Sequence, residues 1–504
     1  MNAQERPNVV VIMADQMKAT ASHLYGGRSC ETPALERLAR SGVTFAHAYT
    51  PQPLCVPARV SLWTARWPHA HGARLNETPM PRGERHAFRL WHEAGYDLAL
   101  IGKNHCFEEP DDQALFDVWC EIGHEGLRPG SSPRGMAWVR PEADVEAAHA
   151  ARAAMPRQAA AVSFAVSDVD PRDASSGLVA AQTEAYLERQ VAAERPFALW
   201  VSFPDPHTPY EVPRPYFDAI DLAAVEVPRA PDPDTADLPE RTRVLRDLLG
   251  LDDATYADAR ALVATYHAMV RFVDEGVGRI LDALERTGLS ERTVVVFCSD
   301  HGDFAGEHGM TRKGGAFYDC LVRVPLIVSW PGRVPAGVVD DAPVNLVDVV
   351  PTLLTLQGLE VPAQMQGRPL PTVTDAPTRD ATFAEYGAGG PACTRDDLAA
   401  LPQPRGLEAA KATLRWREAE GRRKMVRTRR HKYVTDPMGD IDELYDLELD
   451  PHESTNLARR AGHEGLIAEL RARLLAWSIT TEDARPLPLP PPQPERIERS
   501  QTTT

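Results

Sequence analysis

The sequence predicts an α/β fold, in which a large, mostly parallel sheet is sandwiched by helices and is followed by a smaller antiparallel sheet-plus-helix unit. Short, continuously apolar runs alternate with helical patterns, which is typical of parallel strands covered on both faces. This alternation stops near Ala376, where a hairpin pattern begins. A chain of 504 residues also exceeds the usual size of one hydrophobic core. We therefore expect a large domain over residues 1–375, a C-terminal subdomain over 376–484 and an extended, proline-rich tail over 485–504.

Apolar runs predict the strands of the large sheet. The first run, over residues 8–13, is apolar after Asn8, as a strand buried on both faces should be. The clearest helical pattern spans residues 254–286 and stops before Thr287 and Gly288, where glycine terminates the helix. The other runs that predict strands cover residues 98–101, 197–203, 294–297 and 325–330.

Two segments interrupt the alternation of strands and helices. Residues 129–177 are rich in Ala, Pro, Ser and Asp, and residues 204–237 are dense in Pro and Asp. Such segments predict insertions near the mouth of a pocket or, alternatively, disordered surface loops. In the C-terminal part, the pattern predicts two strands of a hairpin, a third strand and a helix, over residues 424–428, 431–434, 443–447 and 465–477.

Charge and composition exclude several classes of protein. The 72 acidic residues outnumber the 55 basic ones and give a formal net charge of −17, whereas a nucleic-acid-binding protein needs a basic surface. No apolar run approaches the roughly 18 residues of a membrane span, and no signal peptide pattern precedes the first strand. Seven cysteines without a Cys-x-x-Cys pair do not predict a disulfide framework. The expected location is the cytoplasm.

Polar residues follow four of the predicted strands. A single Asp after a strand commonly caps a helix. The carboxyl ends of parallel strands, however, meet at one edge of the sheet, where ligands of α/β proteins bind. The sequence therefore predicts one functional site built from the residues Asp15 and Gln16, Lys103 to His105, Asp205 to Thr208, and Asp300 to Asp303.

The side chains at these strand ends fall into two chemical groups. Asp15, Gln16 and Asp300 offer oxygen donors and His301 offers an imidazole, a set that suits a divalent cation. A second group offers positive charge or hydrogen-bond donors, which suit a tetrahedral oxyanion. Its members are Arg59, Lys103, His105, His207 and Lys313. A metal and several cations in one crevice predict sulfuryl or phosphoryl transfer.

The segment from Cys55 to Arg59 reads Cys-Val-Pro-Ala-Arg, and Ser-Leu-Trp-Thr-Ala-Arg follows it up to Arg66. Taken alone, it could contain a buried structural cysteine. Together with the strand-end residues, it resembles the type I sulfatases of the alkaline-phosphatase superfamily, in which an oxidase converts this cysteine into formylglycine. The C-terminal phrase from Leu444 to Leu447 resembles their small C-terminal subdomain. The resemblance covers nearly the whole chain and implies an alkaline-phosphatase-like fold.

The resemblance also implies roles for individual residues. The metal ligands would be Asp15, Gln16, Asp300, His301 and an oxygen on the modified Cys55. The residues that grip the ester and assist proton transfers would be Lys103, His105, His207 and Lys313, while Arg59 would hold the nucleophile. In the implied mechanism a hydroxyl of hydrated formylglycine attacks the ester, the alcohol leaves with a proton from His207 or Lys313, and sulfate is then expelled with help from His105. A formylglycine-generating enzyme would be a partner during maturation.

Some residues depart from the common sulfatase pattern. Asp15-Gln16 and Asp300-His301 are more similar to phosphonate monoester hydrolases and choline sulfatases, and Asn76 resembles their substrate-contacting asparagine. The segment that contains Lys103 and His105, in contrast, resembles the corresponding motif of sulfatases. We therefore predict arylsulfatase-like hydrolysis of small-molecule sulfate monoesters. The alternatives are a phosphonate monoester or phosphodiester hydrolase and a non-catalytic oxyanion-binding protein with unmodified Cys55.

The donor set also constrains the cation. Two carboxylates and two neutral donors carry a charge of −2, which balances one dication; Ca²⁺ is expected and Mn²⁺ is next. The organic part of the substrate is not predicted, because aromatic residues are more often part of the core than of an aryl pocket. Those in question are Trp63, Trp67, Phe107, Trp119 and Trp138. Neither a nucleic acid nor a membrane is expected as a partner, and a homo-oligomer is left open.

Overall fold

The structure, a computed structural model, describes residues 6–27, 30–123, 132–155, 163–227, 237–251 and 254–482. The tail predicted over 485–504 lies outside these residues. The strands of the described chain are β1 Asn8–Ala14, β2 Gly42–Phe45, β3 Ala48–Tyr49, β4 Asp97–Gly102, β5 Val118–Glu121, β6 Phe164–Ser167, β7 Phe197–Phe203, β8 Tyr210–Pro213, β9 Thr293–Ser299, β10 Leu326–Ser329, β11 Val338–Asp340, β12 Val344–Asn345, β13 Ala381–Tyr386, β14 Arg423–Thr428, β15 His431–Thr435 and β16 Glu443–Asp446.

Helices connect most of these strands. Those of the described chain are α1 Pro33–Arg40, α2 Cys55–Thr64, α3 Pro68–His71, α4 Ala87–Glu93, α5 Pro110–Gln113, α6 Glu142–Ala153, α7 Ser175–Gln190, α8 Arg214–Asp218, α9 Glu240–Leu249, α10 Tyr256–Arg286, α11 Asp319–Val322, α12 Val349–Leu356, α13 Arg395–Ala399, α14 Gly406–Ala412, α15 Leu414–Ala419 and α16 Glu464–Thr481. The longest of them, α10, matches the predicted helix to within two residues at its start.

The large sheet has eight strands in the order β11, β2, β10, β9, β1, β7, β4, β5. The five strands from β9 to β5 are parallel, and they include four strands that the sequence predicts. In the register, Ala14 lies opposite both Phe203 and Ser299, and Gly102 lies opposite Ser202. The carboxyl ends of β1, β4, β7 and β9 are therefore nearly level, so the residues that follow them lie side by side.

The prediction that β10 is another parallel strand is wrong, since it pairs antiparallel with both β9 and β2. Every residue of β10 is buried, as in the parallel strands. A continuously apolar run reports burial on both faces but not the direction of the strand. The short strands β2, β5 and β11 were not predicted from the sequence.

Helices cover both faces of the sheet and enclose two cores. Val10 and Ile12 of β1 belong to the core beneath α1, α7 and α10. Val9 and Val11 belong to the core beneath α2, α4 and α12. Because alternate side chains of a strand point to opposite faces, β1 contributes to both cores along its whole length. This burial is why its sequence is continuously apolar.

The C-terminal part forms a four-stranded antiparallel sheet in the order β13, β14, β15, β16. Helix α16 packs Leu470, Leu474 and Trp477 against Val426 and Tyr433 of this sheet. The predicted hairpin, third strand and final helix are therefore present, and α16 is longer than predicted at its C-terminal end.

The two interrupting segments contain regular structure in their described parts. Within them lie α6, β6, β8 and α8, and β6 pairs with β8 in parallel. Residues 129–131, 156–162 and 228–236 of these segments lie outside the described residues. Among the helices that the structure describes, none combines the length and apolar character that crossing a bilayer requires.

Candidate active site

The level strand ends bring the predicted polar residues to one edge of the sheet. Asp15 follows β1 and Asp300 follows β9, and the Gln16 N–H donates to Asp300 Oδ1 at 3.0 Å. The Lys103 N–H, just past β4, donates to the Ser202 carbonyl at 2.8 Å. Gly102 has φ +111°, and a Cβ there would lie 2.0 Å from the Ser202 carbonyl oxygen. Glycine therefore allows β4 to turn toward the site this close to β7.

Asp15, Cys55, Asp300 and His301 form a compact, fully buried cluster. One side-chain ligand atom from each lies within 4.8 Å of the others. Nε2 of His301 is 3.1 Å from Cys55 Sγ, and that sulfur is 3.8 Å from Asp15 Oδ1. His301 Nδ1 donates to the Gly302 carbonyl at 2.9 Å, so Nε2 is the ring nitrogen that faces the cluster.

The electrostatics of this cluster fit a divalent cation. Burial and the neighbouring Asp15 both raise the pKa of Asp300. Burial and Cys55 disfavour the ionised form of Asp15 too, yet Lys103, His207 and Arg59 hold its pKa below the ordinary value. A cation between the two carboxylates would offset their burial and their repulsion.

Gln16, the fourth predicted ligand from the strand ends, lies beside this cluster. Its Oε1 accepts a hydrogen bond from Lys313 Nζ at 2.9 Å, and the same Nζ is 3.2 Å from Cys55 Sγ. Its Nε2 donates to Asp303 at 2.5 Å. The backbone of Gln16 has φ +69°, an uncommon conformation for a residue with a side chain. The local backbone thus turns this amide toward the centre of the site.

Cys55 is the first residue of α2 and is 1% exposed. Burial alone would raise the pKa of its thiol, but Lys313, Lys103 and His301 lower it well below the ordinary value. Burial instead raises the pKa of each of the other six cysteines. Cys55 therefore has the electropositive environment of a reactive thiol, unlike that of a structural cysteine.

Arg59 lies one helical turn after Cys55 and is completely buried. Its Nε donates to Asp300 Oδ2 at 2.9 Å, and its Nη2 lies 3.2 Å from Asp15 Oδ2. Nη1 donates to Ser202 Oγ at 3.0 Å and to the Lys103 carbonyl at 3.1 Å. One guanidinium thus joins the ends of β1, β4, β7 and β9 and orients the carboxylates around Cys55.

Lys103 and His105 approach Cys55 from the end of β4. Lys103 Nζ makes a close ion pair with Asp15 Oδ2, and its charge lowers the pKa of Cys55. His105 is half-buried, has φ +45° and hydrogen-bonds with the Cys55 side chain. Its Nδ1 is buried and has no hydrogen-bond partner among the described residues. Both residues therefore lie beside Cys55.

His207 and Lys313 form a second pair beside Cys55. Lys313 Nζ is 2.9 Å from His207 Nε2, while Nδ1 of His207 donates to the Thr208 carbonyl. Burial and Lys313 lower the pKa of His207 to about 4. Burial opposes the charge on Lys313, but Cys55, Asp15 and Asp300 raise its pKa. At neutral pH the pair therefore consists of a charged lysine and a neutral histidine.

Asn76 lies next to the first turn of α2, and its side-chain amide is engaged on both sides. Oδ1 accepts from the Val56 N–H at 3.2 Å, and Nδ2 donates to Glu418 Oε1 at 2.9 Å. Asn76 therefore holds the first turn of α2, and Glu418 in turn fixes the orientation of Asn76. The sequence analysis did not identify Glu418, since nothing in the local pattern of α15 connects it to the strand ends.

A cavity of about 480 Å³ opens above Cys55. Helices α14 and α15 supply one wall of it with residues that the sequence analysis missed, namely Leu407, Ala410, Lys411, Leu414, Arg417 and Glu418. The predicted site residues that line the cavity are Gln16, Cys55, Asn76, Lys103, His105, His207 and Lys313. The four other predicted site residues lie beneath it: Asp15, Arg59, Asp300 and His301.

The aromatic residues considered for an aryl pocket belong to the cores. Trp63, Trp67 and Phe107 are buried in hydrophobic clusters, and Trp119 and Trp138 pack against them. None of the five lines the cavity above Cys55. The interpretation of these residues as core is thus confirmed, and the organic part of a substrate would contact other side chains.

The mostly parallel sheet, with a polar cluster beyond the carboxyl ends of its parallel strands, defines an α/β protein with an alkaline-phosphatase-like fold. A solved structure, the phosphonate monoester hydrolase of Agrobacterium radiobacter, has the same fold, with a TM-score of 0.71 and 24% identity over 95% of this chain and 96% of that chain. A family model described as Sulfatase matches residues 7–359. The chain therefore belongs to the sulfatase family.

Curated relatives match along nearly the whole length of the chain. The choline-sulfatase of Rhizobium meliloti is 29% identical over 500 residues, which cover 95% of this chain and 88% of the relative. The arylsulfatase of Clostridium perfringens is 25% identical over 484 residues, which cover 93% of this chain and 94% of the relative. These matches confirm the family resemblance and the predicted class of enzyme, a sulfuric ester hydrolase.

Proposed function

We propose that the chain hydrolyses sulfate monoesters to inorganic sulfate and an alcohol or phenol, with a formylglycine nucleophile made from Cys55 and one divalent cation. The observation that carries this proposal is the position of Cys55. It begins a helix at the floor of a cavity and contacts His301, Lys313 and the Asp15 carboxylate group within 3.8 Å. A formylglycine-generating enzyme would act on Cys55 during maturation.

Asp15, Asp300, His301 and Gln16, with the modified residue 55, would hold the cation. When bound, the cation would supply Lewis-acid chemistry, acidifying a hydroxyl at residue 55 and stabilising negative charge. Two carboxylates with neutral donors suit Ca²⁺, while the imidazole also admits Mn²⁺. Arg59 keeps both carboxylates oriented through its contacts with Asp15 and Asp300.

The remaining side chains bind the sulfate group and move protons. Lys103 and Lys313 place two ammonium groups beside residue 55, where they would stabilise charge on the ester oxygens. Lys313 is also the charged member of its pair with His207, so this pair would protonate the leaving alcohol. His105 hydrogen-bonds with residue 55 and would accept the proton when sulfate is released.

A phosphonate monoester or phosphodiester hydrolase is the second candidate. The observation that favours it is the site's combination of Gln16 and His301 with two carboxylates, which resembles the phosphonate enzymes. Lys103 and His105 favour the sulfatase, because they complete a ring of donors around a singly charged sulfate. The two candidates share a nucleophile and differ in the charge and shape of the preferred ester.

The two candidates are separated by kinetics on a panel of esters. Protein produced together with a formylglycine-generating enzyme is first tested by intact mass for conversion of Cys55. Its kcat/KM is then measured for aryl sulfates, choline sulfate, sugar sulfates and phenyl phosphonates. We expect the highest value for a sulfate ester. A higher kcat/KM for phenyl phosphonates than for every sulfate ester would establish the second candidate instead.

A further inference from the structure

Glu418 is a buried carboxylate in the wall of the cavity, on helix α15. It is 4% exposed. Its Oε1 accepts from the Asn76 side-chain amide at 2.9 Å, and its Oε2 accepts from the Asn76 N–H at 3.4 Å. An ionised carboxylate has about four acceptor positions. These two bonds therefore leave acceptor capacity on a side chain that lines the cavity.

The charge of Glu418 is opposite to what the sulfate end of the cavity requires. Lys103 and Lys313 provide the positive charge there, and a carboxylate close to a bound sulfate would repel it. Burial raises the pKa of Glu418 to about 7, although Lys313 works in the opposite direction. A buried carboxylate is costly unless donors satisfy it. Glu418 is therefore placed for a part of the substrate other than the sulfate group.

The side chains around Glu418 indicate the chemistry of the non-sulfate part of the substrate. Leu407 and Leu414 line the same wall and provide apolar surface. The Arg417 guanidinium donates to Thr413 Oγ1 and to the Ala410 carbonyl. Its hydrogen bonds are thus made within the segment formed by α14 and α15. Lys411, the other cation of this wall, pairs with Glu408. The wall thus offers an apolar face and a carboxylate acceptor, and both of its cations are engaged by neighbouring groups.

We propose that Glu418 determines substrate specificity by accepting a hydrogen bond from a hydroxyl or ammonium group on the alcohol portion of the ester. The apolar body of that alcohol would lie against Leu407 and Leu414. This inference rests on the proposed function, because the alcohol portion occupies this wall only when the sulfate group lies at Cys55. A site built around a hydrogen-bonding group rejects an analogue that lacks it, since the buried partner is then left unsatisfied.

Three matched phenyl sulfates test the proposal. They carry an aminomethyl, a hydroxymethyl or an ethyl group at the same ring position, and each is made as the meta and the para isomer. For the wild-type enzyme we expect kcat/KM for the better isomer of a donor-bearing ester to exceed that for its ethyl analogue by about 10- to 100-fold. The ratios between the esters are the readout, because a general loss of activity does not change them.

Two variants and a control assign the preference to Glu418. Glu418→Gln, which keeps an acceptor but loses the charge, should lose the preference for the aminomethyl ester and keep part of that for the hydroxymethyl ester. Glu418→Ala should lose both preferences. Glu188→Gln, which changes an exposed carboxylate on α7 that pairs with Arg286 away from the cavity, should leave the ratios unchanged.

Each contrary outcome is distinct. Equal kcat/KM values for the three wild-type substrates, or a donor preference that persists in Glu418→Ala, would overturn the role of Glu418 and leave the proposed function intact. Failure of protein with converted Cys55 to hydrolyse any of the sulfate esters would overturn the proposed function and this inference with it. If the wild-type enzyme prefers the hydroxymethyl ester but not the aminomethyl ester over the ethyl analogue, the proposal holds with a hydroxyl-bearing alcohol as the substrate class.

Discussion

At the scale of single residues, Cys55 combines a buried position with an unusually polar set of neighbours. Three cationic or proton-donating side chains, Lys313, Lys103 and His301, stabilise negative charge at this position. The same neighbours would stabilise a hydroxyl-bearing residue 55 during attack on an ester. A change in the side chain of residue 55 should therefore affect the chemistry of the site more than the packing of the core.

We predict that Cys55→Ala abolishes sulfate ester hydrolysis, with a loss of at least about 10³-fold in kcat, because the nucleophile is absent. The fold should remain intact, since the surrounding network is anchored by Arg59 rather than by Cys55. Cys55→Ser should release sulfate poorly, because it supplies one hydroxyl where two are needed. Sulfate release and thermal melting check both variants, and full multiple-turnover activity of Cys55→Ala would refute the assignment.

Lys103 tests how the site binds the sulfate group. Its ammonium pairs with Asp15 and lines the cavity beside Cys55. We predict that Lys103→Ala lowers kcat/KM for aryl sulfates by about 10²–10³-fold, since one charged contact in a water-poor site is lost. Lys103→Arg, which keeps the charge but changes its geometry, should be less impaired. Equal kcat/KM for wild type and Lys103→Ala would show that Lys103 only neutralises Asp15.

At the scale of elements, the C-terminal sheet supports the segment that leads into α2. Leu54, which precedes Cys55, packs in one hydrophobic cluster with Ala384 and Tyr386 of β13 and with Met425 of β14. The Glu385 N–H donates to the Pro51 carbonyl at 2.8 Å. The position of Cys55 therefore depends on an element that lies more than 300 residues later in the sequence.

Glu385 of β13 connects this sheet to the segment that follows α2. Its carboxylate is 1% exposed and accepts from His69 Nδ1 at 2.8 Å, with Lys424 Nζ at 3.2 Å and Arg74 Nη1 at 3.5 Å. Burial opposes ionisation, but His69, Lys424 and Arg74 lower the pKa of Glu385 well below its ordinary value of 4.5. Its stabilising contribution is therefore fully present above about pH 4.5 and is lost as the pH falls further.

We predict that Glu385→Gln lowers the free energy of unfolding by about 3 kcal/mol at pH 7, because the partly buried Arg74 and Lys424 lose their counter-charge. The difference from the wild type should shrink below about pH 4.5, where the wild-type carboxylate begins to lose its advantage. Urea unfolding at pH 7, 5 and 4 measures this difference in the free energy of unfolding. Glu408→Gln, on the exposed face of α14, should change the free energy by less than about 0.5 kcal/mol. A pH-independent difference for Glu385→Gln would contradict the ionic role.

Sequence patterns predicted the elements that carry the strand-end residues and missed those that close the cavity. β1, β4, β7 and β9 are continuously apolar because both faces are buried, and the parallel arrangement then places their polar ends together. Helices α14 and α15 are short and belong to the C-terminal part of the chain. Their position over Cys55 follows from tertiary packing against α9, which no local pattern reports. Glu418 could not be recognised for that reason.

At the scale of the whole molecule, the site concentrates ionisable groups at the centre of a protein with a net charge of −17. The two main cores hold the four strand ends level from opposite faces of the sheet. A rigid frame of this kind allows Asp15 and Asp300 to remain close together in spite of their repulsion. The free-energy cost of burying these charges is thus offset by the packing of the two cores on either face of the sheet.

This arrangement predicts a link between the cation and the stability of the folded chain. A cation that binds Asp15, Asp300 and His301 only in the folded state raises the free energy of unfolding by RT ln(1 + [metal]/Kd), or about 2.7 kcal/mol at a concentration of 100 Kd. Removing metal with EDTA should therefore lower the melting temperature and abolish sulfate release, and adding Ca²⁺ or Mn²⁺ should restore both. Elemental analysis should find one divalent ion per chain.

Asp300→Asn provides the matched control for this last prediction. It keeps the size of the side chain but removes one of the two carboxylates of the cluster, so the affinity for the cation should fall. The melting temperature of this variant should respond less than that of the wild type to either EDTA or added metal. Because melting is measured without substrate, it separates loss of the cation from loss of any catalytic group. Full activity and an unchanged melting temperature in wild-type protein shown by elemental analysis to be metal-free would rule out a cation at this cluster.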